Sequence, residues 1–281
     1  MTAAQKKDLF EHKAYNIRGH IINTIVTNGE GHAGPSLSCA DILAVLYADV
    51  LRIDPKNPAW PQRDRFVLSA GHKCLALYGA LTEAGFIDEA TLKTYNRLHT
   101  LVPGHPDRKK TPGVDFSTGA LGHGLPVGCG MAMGAKLSNA EYRTYVLMGD
   151  GEHGEGSIWE AASFAAHKKL DNLIAIIDRN GLQINGTTKE VADTSPLEAR
   201  YRAFGWAVKI IDGHDVTAIY DALTSAPFEK EKPSMIIANT VKGKGLSFAE
   251  NNYKYHHWHP GAEEARIALE ELAAYGSRWK Q

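Results

Sequence analysis

Two short apolar runs, YVLMG (145–149) and LIAIID (173–178), flank a segment of helical periodicity that extends from about Ser157 to Lys169. Runs this apolar need cover on both faces, and two strands joined through a helix lie parallel. This strand–helix–strand unit constrains the chain more than any other feature. The alternation continues on both sides: RFVLS (65–69) and the helical HKCLALYGALTEAG before it, then PLEARYRAFG, the strand WAVKII, the helical VTAIYDALTSA and the strand SMIIANT after it. The pattern predicts an α/β fold with a doubly wound, mostly parallel sheet and helices on both faces. Residues 5–27 have helical spacing and read as an amino-terminal extension. No low-complexity linker divides the chain, so a single domain over 1–281 is expected. Ser38 followed by Asp41 reads as a capping box opening a helix over ADILAVLYADVL. The Gly- and Pro-rich stretch 99–124, which holds His99, His105 and His123, is long enough to suggest function.

Composition removes several classes of partner. Lysine plus arginine, 31, nearly balances aspartate plus glutamate, 32, so no global charge draws nucleic acid or an anionic membrane. Cys39, Cys74 and Cys129 lack C-x-x-C spacing, which argues against a disulfide framework and a zinc site. The amino terminus has no apolar signal core and no run approaches a membrane span, so a cytoplasmic protein is expected. The 13 histidines are the unusual count. Each taken alone is most simply a solvated surface residue, and His12, His20, His99 and His167 are read so. His214 reads as structural beside Asp215, a helix N-cap.

Ligands of open α/β sheets collect at the carboxyl ends of the strands. Asp150 follows YVLMG directly and Asn180 follows LIAIID, so both should emerge on one edge. Gly149 and Gly151 remove side chains where backbone must approach a phosphate, and the next helix offers its N–H groups to the same anion. One carboxylate and one amide oxygen make a hard, oxygen-only half-shell that suits Mg2+, with Ca2+ or Mn2+ as substitutes. Singly, Gly-Asp-Gly and Asn180-Gly181 are ordinary turns; together, at this spacing, they gain meaning.

The combination G-D-G-x-x-x-x-G, helix, strand, Asn-Gly resembles the thiamine diphosphate signature, with Arg179 where many members carry a first asparagine. Further segments resemble transketolase amino-terminal domains: Gly31-His32 before Gly34-Pro35, Leu68-Ser69-Ala70-Gly71-His72, Gly104-His105-Pro106, Gly119-Ala120-Leu121-Gly122-His123-Gly124 and Ile211-Asp212-Gly213-His214-Asp215. They run over residues 29–260. The resemblance implies a backbone carbonyl ligand from Leu182 beside Asp150 and Asn180. It places His32, His72, His105 and His257 around the cofactor's reactive carbon or diphosphate, and Gly119 and Leu121 along the cofactor. His256 or His259 could serve instead of His257. Imidazoles at hydrogen-bond distance suit a sugar whose hydroxyls lose and regain protons. Glu155 matches a position where paired glutamates link two active sites, although a capping carboxylate would look the same. Lys242-Gly243-Lys244-Gly245 reads equally as a phosphate loop or as a solvated one.

In the family, the carboxylate that activates the aminopyrimidine ring lies on a second domain, which this sequence does not contain. The expectation is therefore the amino-terminal subunit of a split transketolase. It would work with a carboxy-terminal subunit that carries the pyrimidine-binding domain and the glutamate, in an assembly such as a heterotetramer. Its substrates would be sugar phosphates. Two rival readings are the α-subunit of a thiamine-dependent 2-oxoacid dehydrogenase, which shares the metal motif but not the histidine-bearing loops, and a non-catalytic module that binds thiamine diphosphate or a nucleotide.

Overall fold

The computed structural model describes residues 1–279. Five strands form one sheet: β1 (Arg65–Leu68), β2 (Thr144–Gly149), β3 (Leu173–Arg179), β4 (Ala207–Asp212) and β5 (Ser234–Asn239). Their order is β1-β2-β3-β5-β4, and every neighbouring pair is parallel. The doubly wound α/β expectation holds.

Side-chain alternation along these strands divides the core in two. Phe66, Leu68, Tyr145, Leu147, Ile174, Ile176 and Ile236 face the larger cluster. Val67, Val146, Met148, Ala175, Ile177, Met235 and Ile237 face the smaller one. The larger cluster is closed by the helices Ala3–Asn28, Ala40–Val45, Cys74–Glu83 and Val216–Thr224, and the smaller by Gly124–Leu137, Gly156–His167 and Leu197–Ala203. The first helix buries Phe10, Ile17, Ile21 and Ile25 in the larger cluster. It is thus a wall of the core rather than an appended extension.

Two local expectations change. Ser38 caps nothing: it ends the short helix Ala33–Ser38, and its hydroxyl donates to Pro35 O and to the Asp178 carboxylate. ADILAVLYADVL is an α-helix only over Ala40–Val45 and continues as a π-turn over Leu46–Val50. Asp215 does cap its helix, accepting from Thr217 and Ala218 N, and His214 is locked between the Asp41 carboxylate and Val241 N. His99 and His167 are exposed. His20, in contrast, is half-buried against Glu83, and His12 stacks on Trp279. All three cysteines are buried and free. Among the described residues no helix is long and apolar enough to cross a membrane.

Candidate functional site

Four parallel strands end on one edge, and each carboxyl end delivers a polar residue: Lys73 beyond β1, Asp150 beyond β2, Asn180 beyond β3 and Lys242 beyond β5. They surround a cavity of about 240 Å3. Its walls include His32, His72, Gly119, Leu121, Gly149, Gly151, Leu182 and His256.

The floor is dense with charge. Asp150, 5% exposed, accepts from Gly151 N at 2.9 Å through one oxygen and from Gly181 N at 2.6 Å through the other. Gly181 can present that N–H because it sits at φ 75°, a left-handed conformation that suits glycine. Burial, reinforced by the nearby Asp178, pushes the Asp150 carboxyl up to about 6. A carboxylate held ionised at such cost favours a cation beside it.

The Asn180 side-chain oxygen accepts from Leu182 N at 3.1 Å, and its amide nitrogen faces Ser38 Oγ and Asp178 at 3.4 Å. Asp178 itself, fully buried, takes Lys73 Nζ at 2.5 Å, Ser38 Oγ at 2.5 Å and Thr240 Oγ1. Burial opposes its charge, yet Lys73 and the hydroxyls hold it below the ordinary carboxylate range, while Asp178 raises the Lys73 ammonium. This ion pair ties β1, β3, β5 and the Ala33–Ser38 helix together under the cavity.

Lys242 Nζ donates to Leu182 O and Gln183 O, each at 3.3 Å, and lies 2.9 Å from His256 Nδ1. Burial and Lys73 lower it to about 8, so at neutral pH it keeps a positive charge over the floor. Of the two readings of the Lys242–Gly245 loop, the structure supports an inward lysine; Lys244 pairs with Glu250 instead.

The histidines form a second layer. The His32 ring lies 5.4 Å from His72, 5.6 Å from His256 and 4.5 Å from His257, centre to centre. Burial, aided by neighbouring cationic groups, lowers His32 to about 4, His256 to about 3 and His72 well below its usual value. All three are therefore neutral near pH 7. His32 Nδ1 is buried with no partner among the described residues, an imidazole atom left free to meet a ligand.

His105 is exposed, with its ring 6.2 Å from His32 and beside Gly119, where a Cβ would come within 3.3 Å of it. Gly119 sits at φ 156°. Between the candidates left open, His256 reaches the cavity wall, whereas His257 turns from it toward His259 at 3.0 Å. Glu155 is exposed, does not line the cavity, and starts the Gly156–His167 helix without a side-chain cap bond. The buried glutamate is Glu152, which accepts from Ser69 Oγ, Gly122 N and Gly149 N and pins three loops to the cavity wall. Sequence reading missed it, as it missed Lys73 and Asp178.

The chain matches the family model for the transketolase thiamine diphosphate binding domain over residues 11–276. It is 44% identical to the 6-deoxy-6-sulfo-D-fructose transketolase subunit of Clostridium sp. strain MSTE9, over 97% of this chain and 99% of that one. It is 47% identical to one subunit of the apulose-4-phosphate transketolase of Actinobacillus succinogenes, over 94% and 96%. Among solved structures, the transketolase of Campylobacter jejuni superposes with a TM-score of 0.89 at 36% identity, covering 95% of this chain and 43% of that one. The chain thus spans nearly the full length of relatives named as subunits and about two-fifths of that longer enzyme. It belongs to the transketolase family and carries its thiamine diphosphate binding domain.

Proposed function

We propose that this chain is the diphosphate-binding, amino-terminal subunit of a split transketolase. In this reading it binds thiamine diphosphate through Mg2+ and moves a two-carbon ketol unit between sugar phosphates. The observation that carries the proposal is the meeting, in one cavity, of a buried oxygen-rich floor with three neutral histidines, one bearing an Nδ1 unpartnered among the described residues. Asp150, Asn180 and the Leu182 carbonyl would hold the metal, a hard donor set suited to Mg2+. Lys242 would face the diphosphate with its ammonium.

Thiamine diphosphate, when bound, supplies the carbon that accepts the transferred unit. The chain's own residues prepare its surroundings. Neutral imidazoles of His32, His72 and His256 can accept a hydroxyl proton and return it, which a protonated ring could not begin. His105 and His257 stand at the mouth, where the remainder of a sugar would lie. Gly119 and Leu121 flank the same wall.

The partner would be a carboxy-terminal subunit that brings the pyrimidine-binding domain and its glutamate, with the two chains assembled as a heterotetramer in the cytoplasm. Glu155, on the surface beside Gly122, would meet such a partner. The names of the relatives, which point to a sulfonated and a phosphorylated sugar, support a donor ketose with an anionic terminus. Reconstitution tests the proposal. The chain mixed with its carboxy-terminal partner should transfer ketol units, and neither should do so alone. Full activity of the isolated chain, or release of carbon dioxide from pyruvate by the mixture, would refute it.

A further inference from the structure

Gly31 and Trp258 form an isolated antiparallel bridge, with both backbone bonds made: Gly31 N to Trp258 O at 3.0 Å and Trp258 N to Gly31 O at 2.8 Å. In such a pair the flanking residues stand opposite each other, Glu30 against His259 and His32 against His257. Alternation turns all four to the side away from the Trp258 ring. That ring is buried, with its Nε1 donating to Glu264 at 2.9 Å, so the other side faces the mouth of the cavity and the solvent.

The result is a His-x-His pair in extended backbone with a carboxylate across from it. His257 Nδ1 and His259 Nε2 are 3.0 Å apart, and Glu30, His257 and His259 each offer a ligand atom within 4.8 Å of the other two. Two imidazoles on one tetrahedral Zn2+ have nitrogens roughly 3.4 Å apart, so the rings need to part by only a few tenths of an ångström. His259 is exposed, and Glu30 and His257 are partly so, which leaves an open approach for an ion.

We propose that Glu30, His257 and His259 form a second divalent-metal site, of the Zn2+ class, at the mouth of the cavity and separate from the Asp150–Asn180 floor. Two nitrogens and one carboxylate select a transition metal over Mg2+, and three protein ligands leave the fourth position to water or to an anion. Because the His257 ring packs edge-on against His32 at 4.5 Å, an ion held there fixes the wall that His32 presents to the cavity. It also clamps the 30–32 segment to the 256–260 segment.

Co2+ is the probe, added to the metal-free full-length chain in saturating Mg2+ and followed by visible absorption. A single equivalent should produce the intense bands of a low-coordinate Co2+ centre, and Zn2+ should abolish them by displacement. His259→Ala should remove the bands, and Glu30→Gln should weaken binding by about tenfold or more. Asp150→Ala should leave them intact, which separates this site from the cofactor's metal. Bands that survive His259→Ala, or that vanish with Asp150→Ala, would overturn the proposal.

Discussion

The floor and the mouth of the cavity are built on opposite plans. On the floor, Asp150, Asn180, Lys73 and Asp178 are buried, and each is held by side-chain or backbone partners, Asp150, Lys73 and Asp178 by ones at or beyond the ends of other strands. At the mouth, His105 and His259 are exposed and His257 is half-buried, the last two on a segment anchored by one backbone bridge. A buried charge without a partner is so unfavourable that the Asp178 carboxylate must find its counter-charge, Lys73, within this chain. Exposed imidazoles have no such obligation. Their positions can wait for a ligand or a second protein, and the mouth is where specificity can vary without endangering the fold.

The contrast can be broken most forcefully at Lys73. Lys73→Met strands the Asp178 carboxylate, and urea unfolding should show a loss of about 3–5 kcal/mol. A loss below about 1 kcal/mol would mean that the floor is less tightly determined than its geometry implies. Next comes Asp150→Ala, which should weaken Mg2+-dependent binding of thiamine diphosphate by about 100-fold or more in calorimetric titration, since it removes the carboxylate proposed to hold the metal. Affinity retained within a few-fold would move the metal elsewhere.

The pH dependence is smaller and carries a sign. The Asp150 carboxyl titrates near 6 in the fold, above its ordinary 3.8, so a proton competes with the metal. Mg2+ affinity should be full above that value and fall about tenfold for each pH unit below it. Without metal the sign reverses: the ionised Asp150 costs stability above about 6, and that cost fades as pH falls toward the unfolded value. Metal-free Asp150→Asn should therefore melt higher than wild type at about pH 8, and the gap should close near pH 4. A constant gap would detach the shift from this residue. Smallest is the effect of the mouth on the fold. His105→Ala should change stability by no more than about 0.5 kcal/mol, and a larger loss would show that the mouth is as structural as the floor.

The sheet was legible because YVLMG and LIAIID are too apolar to be anything but strands covered on both faces. With the strands placed, Asp150 and Asn180 followed from the rule that parallel strands end on one edge. The floor's inner layer was not legible. Asp178 reads as the polar end of a strand, and its partner Lys73 lies 105 positions away with no local pattern joining them. Glu152 and Glu155 look alike in GDGEHGEG, and only the fold of the loop buries the first and exposes the second. Ser38 had a cap's spacing, but it is the last residue of the helix Ala33–Ser38, and Cys39 takes the position before the next helix. The choice among His256, His257 and His259 depended on where the helical turn Tyr253–His256 ends and on the bridge from Trp258 to Gly31, a contact across more than 200 residues.

That same bridge bears on how the protein is made. The five strands are complete by Asn239, but His256 and the segment that pairs with Gly31 follow them, as do Leu246, Ala249, Trp258 and Ala268 of the larger core, and contacts so distant in sequence form late. One wall of the cavity is therefore set only after the sheet is in place. A chain whose sheet has already formed can still have no enclosed place for a ligand to bind.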